Sequence, residues 1–209
     1  MAQTTFFSDL GTGSTVYNCC DGWAISGTGT LGTSFTAANE FTAGATGSVS
    51  QIDIAVSYIA GTNSFFGALY EVGNTGDPGT EIAQWDNLTS SQPVGGCCGL
   101  VTISGITGVT LTAGQSYFLV LGPTDLSSTT FETLDWNNQG ATGTDLYATS
   151  GCQNGTGNGC TWQSNGTQTI GAFDIIGSTG ETVPEPSSLL LLGTGLVGAF
   201  GTIRRKIIK

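Results

Sequence analysis

Residues 51–58 read QIDIAVSY. In an extended chain Ile52, Ile54, Val56 and Tyr58 fall on one face, and Gln51, Asp53, Ala55 and Ser57 on the other. Successive side chains of a strand point to opposite sides, so this alternation predicts a half-buried β-strand. The stretch SFFGALYEV (64–72) follows after a short turn, then GNTGDPG (73–79), which is dense in turn formers. LVTISGI (100–106), SYFLVLG (116–122) and FETLDWN (131–137) read as further strands, and GAFDIIG (171–177) closes the series. Gly and Asn clusters separate them, and nothing before residue 187 keeps a helical period. Many short strands with regular turns predict an all-β fold, an antiparallel β-sandwich of jelly-roll type over residues 1–177.

Composition agrees with that reading. Gly makes up 34 of the 209 residues, more than twice the usual share of about 7%. Charged residues are only 9%, against about 25% in ordinary soluble proteins. Ser, Thr, Asn and Gln therefore carry the polar surface, which suits strands and turns better than helices. With 38% apolar residues the chain is long enough to bury a core.

The charge is one-sided. All four basic residues, Arg204, Arg205, Lys206 and Lys209, lie at the extreme C-terminus, and there is no His. The body is purely acidic, so it cannot release counterions from phosphates, and nucleic acid is excluded as a partner. Anionic lipid would repel it everywhere except at the basic tip.

Six cysteines, Cys19, Cys20, Cys97, Cys98, Cys152 and Cys160, suggest an oxidising compartment. Cys152 and Cys160 bracket CQNGTGNGC, whose Gly and Asn can turn the chain back and bring the two together. The doublets in NCCDGW and GGCCGL are harder, because neighbours in a regular strand face opposite ways. Either each doublet closes on itself, or the chain bends there. Zinc sites favour C-x₂₋₄-C spacing and often His; neither is present, so disulfides are expected and no metal or cofactor.

The chain begins MAQTTFFSDL, without a basic and apolar leader. The expectation is that a leader was trimmed or left out. At the other end, residues 178–186 form a polar linker that includes Val183-Pro184-Glu185-Pro186. Residues 187–203 run without a charge, and 204–209 form a basic tip. A C-terminal hydrophobic helix is expected over 187–203. At about 1.5 Å per residue it spans about 25 Å, short of a bilayer core of about 30 Å. Its basic end would sit in the cytoplasm and the acidic body outside. An ordinary single-pass anchor is the plainer reading, while a core helix is disfavoured because the segment has no polar face.

This tripartite tail, Pro-Glu-Pro, a Leu- and Gly-rich span, then Arg204-Arg205-Lys206, resembles the PEP-CTERM sorting signal of Gram-negative bacteria. The resemblance covers about the last 27 residues. It implies recognition by an exosortase, a membrane-bound transpeptidase-like enzyme, with cutting at Pro-Glu-Pro. The body would pass through an inner-membrane intermediate to the cell surface or the extracellular space. The body also resembles the choice-of-anchor extracellular domains that often precede such tails, in GALYEVGNTGDPGTEIAQ, GVTLTAGQSYFLVL and GAFDIIG. That resemblance implies a β-sandwich and surface placement, and no activity.

Missing residues narrow the chemistry. Without His there is no Ser-His or Cys-His nucleophile pair. Without Lys or Arg in the body there is no Schiff-base lysine and no phosphate clamp. Carboxylate chemistry remains, since a glycosidase needs only two acids flanking a bond. Glu132 and Asp135 are the nearest pair, but residues three apart on a strand point opposite ways. They are expected to be solvated surface acids, and no catalytic residue is assigned. The alternative to a non-enzymatic surface or matrix protein is a carbohydrate-binding module acting on extracellular polysaccharide. Its candidate ligand-binding residues are Trp136 with Asn137 and Asn138, or Trp162 with Gln163. The competing expectation is that these Trp residues are buried structural groups.

Overall fold

A computed structural model describes residues 3–11, 17–96, 99–149 and 160–180. Among the described residues thirteen strands follow one another. They are β1 (Thr4–Ser8), β2 (Tyr17–Ser26), β3 (Thr36–Thr42), β4 (Gly47–Ala60), β5 (Phe65–Val72), β6 (Pro78–Leu88) and β7 (Leu100–Ser104). Then come β8 (Thr110–Leu111), β9 (Ser116–Pro123), β10 (Phe131–Asn137), β11 (Thr142–Ala148), β12 (Gln163–Thr169) and β13 (Phe173–Ser178). A single helical turn, α1 (Thr28–Leu31), interrupts the series and buries nothing.

The strands make two antiparallel sheets packed as a sandwich, the fold class expected from the sequence. The first has the order β1-β13-β4-β10-β2, with β7 and β8 also paired to β4; the second runs β12-β11-β3-β9-β5-β6. The opening stretch lies in β4, which pairs with β13 over Ser48–Ile54, with β7 over Gln51–Ala55 and with β10 over Val56–Ala60. Ile52, Ile54 and Val56 join Leu134 of β10 in the inter-sheet core, with Phe41, Leu69 and Leu119 of the second sheet. Burying an aliphatic or aromatic side chain of this size stabilises by about 1.5–3 kcal/mol, and this face drives the two sheets together.

The alternation of β4 holds only in part. Gln51 and Asp53 are half-buried, but Ala55 and Ser57, on the face expected to be polar, are fully buried. Ala55 packs with Leu10, Tyr17 and Ala172, so β4 is covered on both sides at its C-terminal half. The second sheet shows the same effect. Its inner face carries Phe65, Leu69 and Leu119. Its outer face carries Phe66, Ala68, Tyr70, Phe118 and Val120, all buried as well. A near-continuous apolar run such as FFGALY is what a strand buried on both faces requires.

Gly61 ends β4 with φ +79°, and a Cβ there would lie 1.6 Å from the Thr129 carbonyl oxygen. Only glycine fits this approach. The expected linker, membrane segment and tip fall at residues 178–209, of which the structure describes only 178–180. The expected C-terminal helix and the sorting-motif residues thus lie outside the described residues. Among the described residues no helix is long and apolar enough to cross a membrane.

Candidate functional site

The predicted site residues are scattered. Trp136 is half-buried, with its ring edge-on to Trp23 at a centroid distance of 5.6 Å. Asn137 is buried and its amide is committed to the backbone. It donates to the carbonyl oxygens of Ala141 (2.9 Å) and Ile170 (2.7 Å), and accepts from the N–H groups of Gln139 and Ala141. Asn138 is exposed. Trp162 is half-buried against the outer-face cluster of the second sheet that holds Phe66 and Phe118. Trp136 and Trp162 are thus each partly packed against neighbouring aromatic side chains, and the Asn137 amide is committed to its own turn.

Glu132 and Asp135 correct an expectation. Both are fully buried instead of solvated. Glu132 follows the inward parity of Leu134 and lies opposite Ile25, and among the described residues neither of its oxygens has a hydrogen-bond partner. Burial alone pushes its carboxyl up to about 8. Asp135 is on the opposite face, where it accepts from the hydroxyls of Ser57 (2.6 Å) and Thr133 (2.9 Å). Burial raises it to about 6, against the lowering pull of those hydrogen bonds. The two carboxyls are separated by the strand itself, so they cannot flank one glycosidic bond.

A common cause underlies these acids. With no Lys, Arg or His in residues 1–203, a buried carboxyl has no cation to pair with, and desolvation raises its pKa. Asp9 shows it again: burial pushes it up to about 8 although one oxygen accepts the Phe173 N–H at 2.7 Å.

The cysteine doublet in β2 sits where the strand leaves regular pairing. Asp135 faces Gly22 and Trp136 faces Asn18, so Cys19, Cys20 and Asp21 are bulged out. Cys20 has φ +65°, and its N–H reaches the Ser57 hydroxyl at 3.2 Å. This is the bend that one of the two sequence readings required. The residues flanking the second doublet reach the same part of β4: Gly96 bridges Tyr58, and the Gly99 carbonyl accepts the Val56 N–H. Among the described residues no cysteine is free. Cys97, Cys98 and Cys152 lie outside the described residues.

One cleft gathers aromatic and polar groups that the sequence does not bring together. It opens between β2, the end strand of the first sheet, and the β3, β11 and β12 side of the second. Its volume is about 380 Å³, and Trp23, Phe35, Tyr147, Asp145 and Asn165 contribute to its lining. Trp23 shares the parity of buried Ile25 on β2, and its indole N–H donates to the Thr169 carbonyl at 3.0 Å, closing one end. Phe35 and Tyr147 stand with ring centroids 6.5 Å apart. Asp145 is buried, accepting from the Asn39 amide at 2.6 Å and the Asn165 amide at 2.5 Å. Asn165 reaches it because β12 carries a bulge there: Gly166 faces Asp145 and Ser164 faces Leu146. Burial raises Asp145 to about 6, with both amides opposing the rise. Asn39 in turn accepts the Gly171 N–H at 2.7 Å, which ties the amide holding the acid to the segment between β12 and β13.

The described residues form an all-β sandwich, and the C-terminal segment follows it in sequence. Residues 182–206 of that segment match the PEP-CTERM protein-sorting motif. The chain thus carries a signal for export and sorting toward the cell surface. No curated protein and no solved structure matches the chain.

Proposed function

We propose that the chain is a non-enzymatic, exported β-sandwich protein that an exosortase cuts at Val183-Pro184-Glu185-Pro186. The domain is then left at the cell surface or in the extracellular matrix. The match of residues 182–206 to the sorting motif carries this reading. The span 187–203 holds the chain in the inner membrane, and Arg204, Arg205 and Lys206 stop its transfer. The six cysteines pair as disulfides in the oxidising space outside. Cutting at Pro-Glu-Pro leaves a product with no Lys, Arg or His, because all the bases lie beyond residue 203. The test is to express the native gene in strains with and without the exosortase and weigh the protein. A shorter product only in the exosortase strain is expected, and an identical full-length mass in both refutes the processing.

A second reading, a carbohydrate-binding module held at the surface by the same tail, is favoured by one observation. The cleft between the sheets combines three aromatic rings with a carboxyl and an amide. Concave sites of this mixed character are where small polar ligands bind.

A further inference from the structure

We propose that the cleft bounded by Trp23, Phe35 and Tyr147 on its aromatic side and by Asp145 and Asn165 on its polar side binds one ring of a neutral glycan; this rests on the carbohydrate-binding reading. A sugar ring has an apolar face of C–H groups and an edge of hydroxyls. It therefore needs flat aromatic surface beside hydrogen-bonding groups.

The cleft supplies both. Trp23, Phe35 and Tyr147 come from β2, the residue before β3, and β11, and all three are only partly buried, so ring surface is left to cover. Asp145 takes one amide hydrogen bond on each oxygen. A carboxylate has about four lone-pair sites, so each oxygen keeps capacity to accept from a ligand hydroxyl. Asn39 and Asn165 fix its orientation, so it is positioned before any ligand arrives. The Tyr147 hydroxyl donates to Gln163 at 2.8 Å, which also sets the plane of that ring.

Size and charge select the ligand class. A volume of about 380 Å³ lies at the small end of the usual range of about 300–1,000 Å³ for ligand sites, suited to one ring rather than a long segment. β2 and β12 end their sheets, so the cleft opens at the side of the sandwich and a glycan chain can continue outward. Asp145 contributes its buried carboxyl to the cleft lining, and no basic residue exists before Arg204 to offset it. A uronate or sulfated sugar would meet an uncompensated carboxyl, whereas a neutral sugar donates hydroxyls to it.

The test uses the full chain, purified in mild detergent and titrated with glucose-, galactose- and mannose-based tetrasaccharides and with tetraglucuronate and tetragalacturonate. Calorimetry and tryptophan fluorescence report binding at pH 7.5. At least one neutral probe is expected to bind, and the uronates at least about tenfold more weakly. Tyr147→Ala should weaken neutral binding about tenfold, as truncating a central aromatic contact does. Asp145→Asn should narrow the gap between neutral and uronate probes, which a purely structural role would not do. Should Tyr147→Ala fail to fold, Asn165→Ala on the exposed β12 tests the same cleft, with the same expected loss. Uronates binding as tightly as neutral probes, or variants binding like the native chain, would overturn the assignment and leave the carbohydrate-binding reading standing. No binding by any probe would sink both.

Discussion

Replacing Glu132 by Gln should make the domain more stable at neutral pH, and the gain should grow with pH. Glu132 is buried in β10 without a partner among the described residues, and its carboxyl is raised from 4.5 to about 8. Below pH 4.5 the acid is protonated in both the folded and unfolded chain, and a neutral Glu and Gln are close in shape. As pH rises from 4.5 to 8 the unfolded chain ionises while the folded one holds its proton. Stability is therefore lost at about 1.4 kcal/mol per pH unit across that window. At pH 7 the loss attributable to Glu132 is about 3 kcal/mol. Urea unfolding of native and Glu132→Gln chains at pH 4.5, 6, 7 and 8.5 would measure it. The two curves should lie within about 1 kcal/mol at pH 4.5 and separate steadily above it, with the variant more stable. A separation that is the same at every pH would refute the reasoning, since it would mean that Glu132 keeps an ordinary pKa.

Three other outcomes follow from the same structure. Asn39→Ala strands the Gly171 N–H and removes one donor from Asp145; it should cost about 3 kcal/mol, read by the same urea titration. Gly61→Ala should lower stability by about 2–4 kcal/mol, a fall in Tm of roughly 10 °C, because its Cβ would strike the Thr129 carbonyl; an unchanged melting curve would contradict the close approach. Non-reducing peptide mapping of the exported protein should join Cys19 and Cys20 to Cys97 and Cys98, because Cys20, Gly96 and Gly99 all reach the Val56–Tyr58 part of β4. Bonds closed within each doublet would be the refuting result.

Much of the fold was legible in short stretches. QIDIAVSY lies within β4, and SYFLVLG and FETLDWN coincide with β9 and β10 to within a residue. The two-residue period marks an inward face wherever one side is apolar, and Ile52, Ile54 and Val56 point to the core accordingly. The same period misled for Ala55 and Ser57. It records which residues are apolar, not whether another segment lies over the polar side. Glu132 and Asp135 failed for the same reason: a carboxyl on a strand reads as solvated, and only what packs over the two faces of β10 buries it. The candidate tryptophans drew notice because Asn and Gln follow them in sequence, yet the Asn137 amide is spent on its own turn.

The sequence by itself determined the β class, the exclusion of every base from the domain, and the sorting tail. Each is a property of residue type and order along the chain, and the sorting motif is a run of 25 consecutive residues, 182–206. Tertiary structure alone decided the cleft. Asp145 meets Asn39 across 106 positions within one sheet and Trp23 meets Thr169 across 146 between the two, contacts that exist only once strands are paired and sheets stacked. It also decided the state of the acids, because a pKa depends on how much water and how many donors surround the group. In a domain with no cation of its own, burial is the largest cause of the rise at Asp9, Glu132, Asp135 and Asp145, and hydrogen-bond donors are all that offset it.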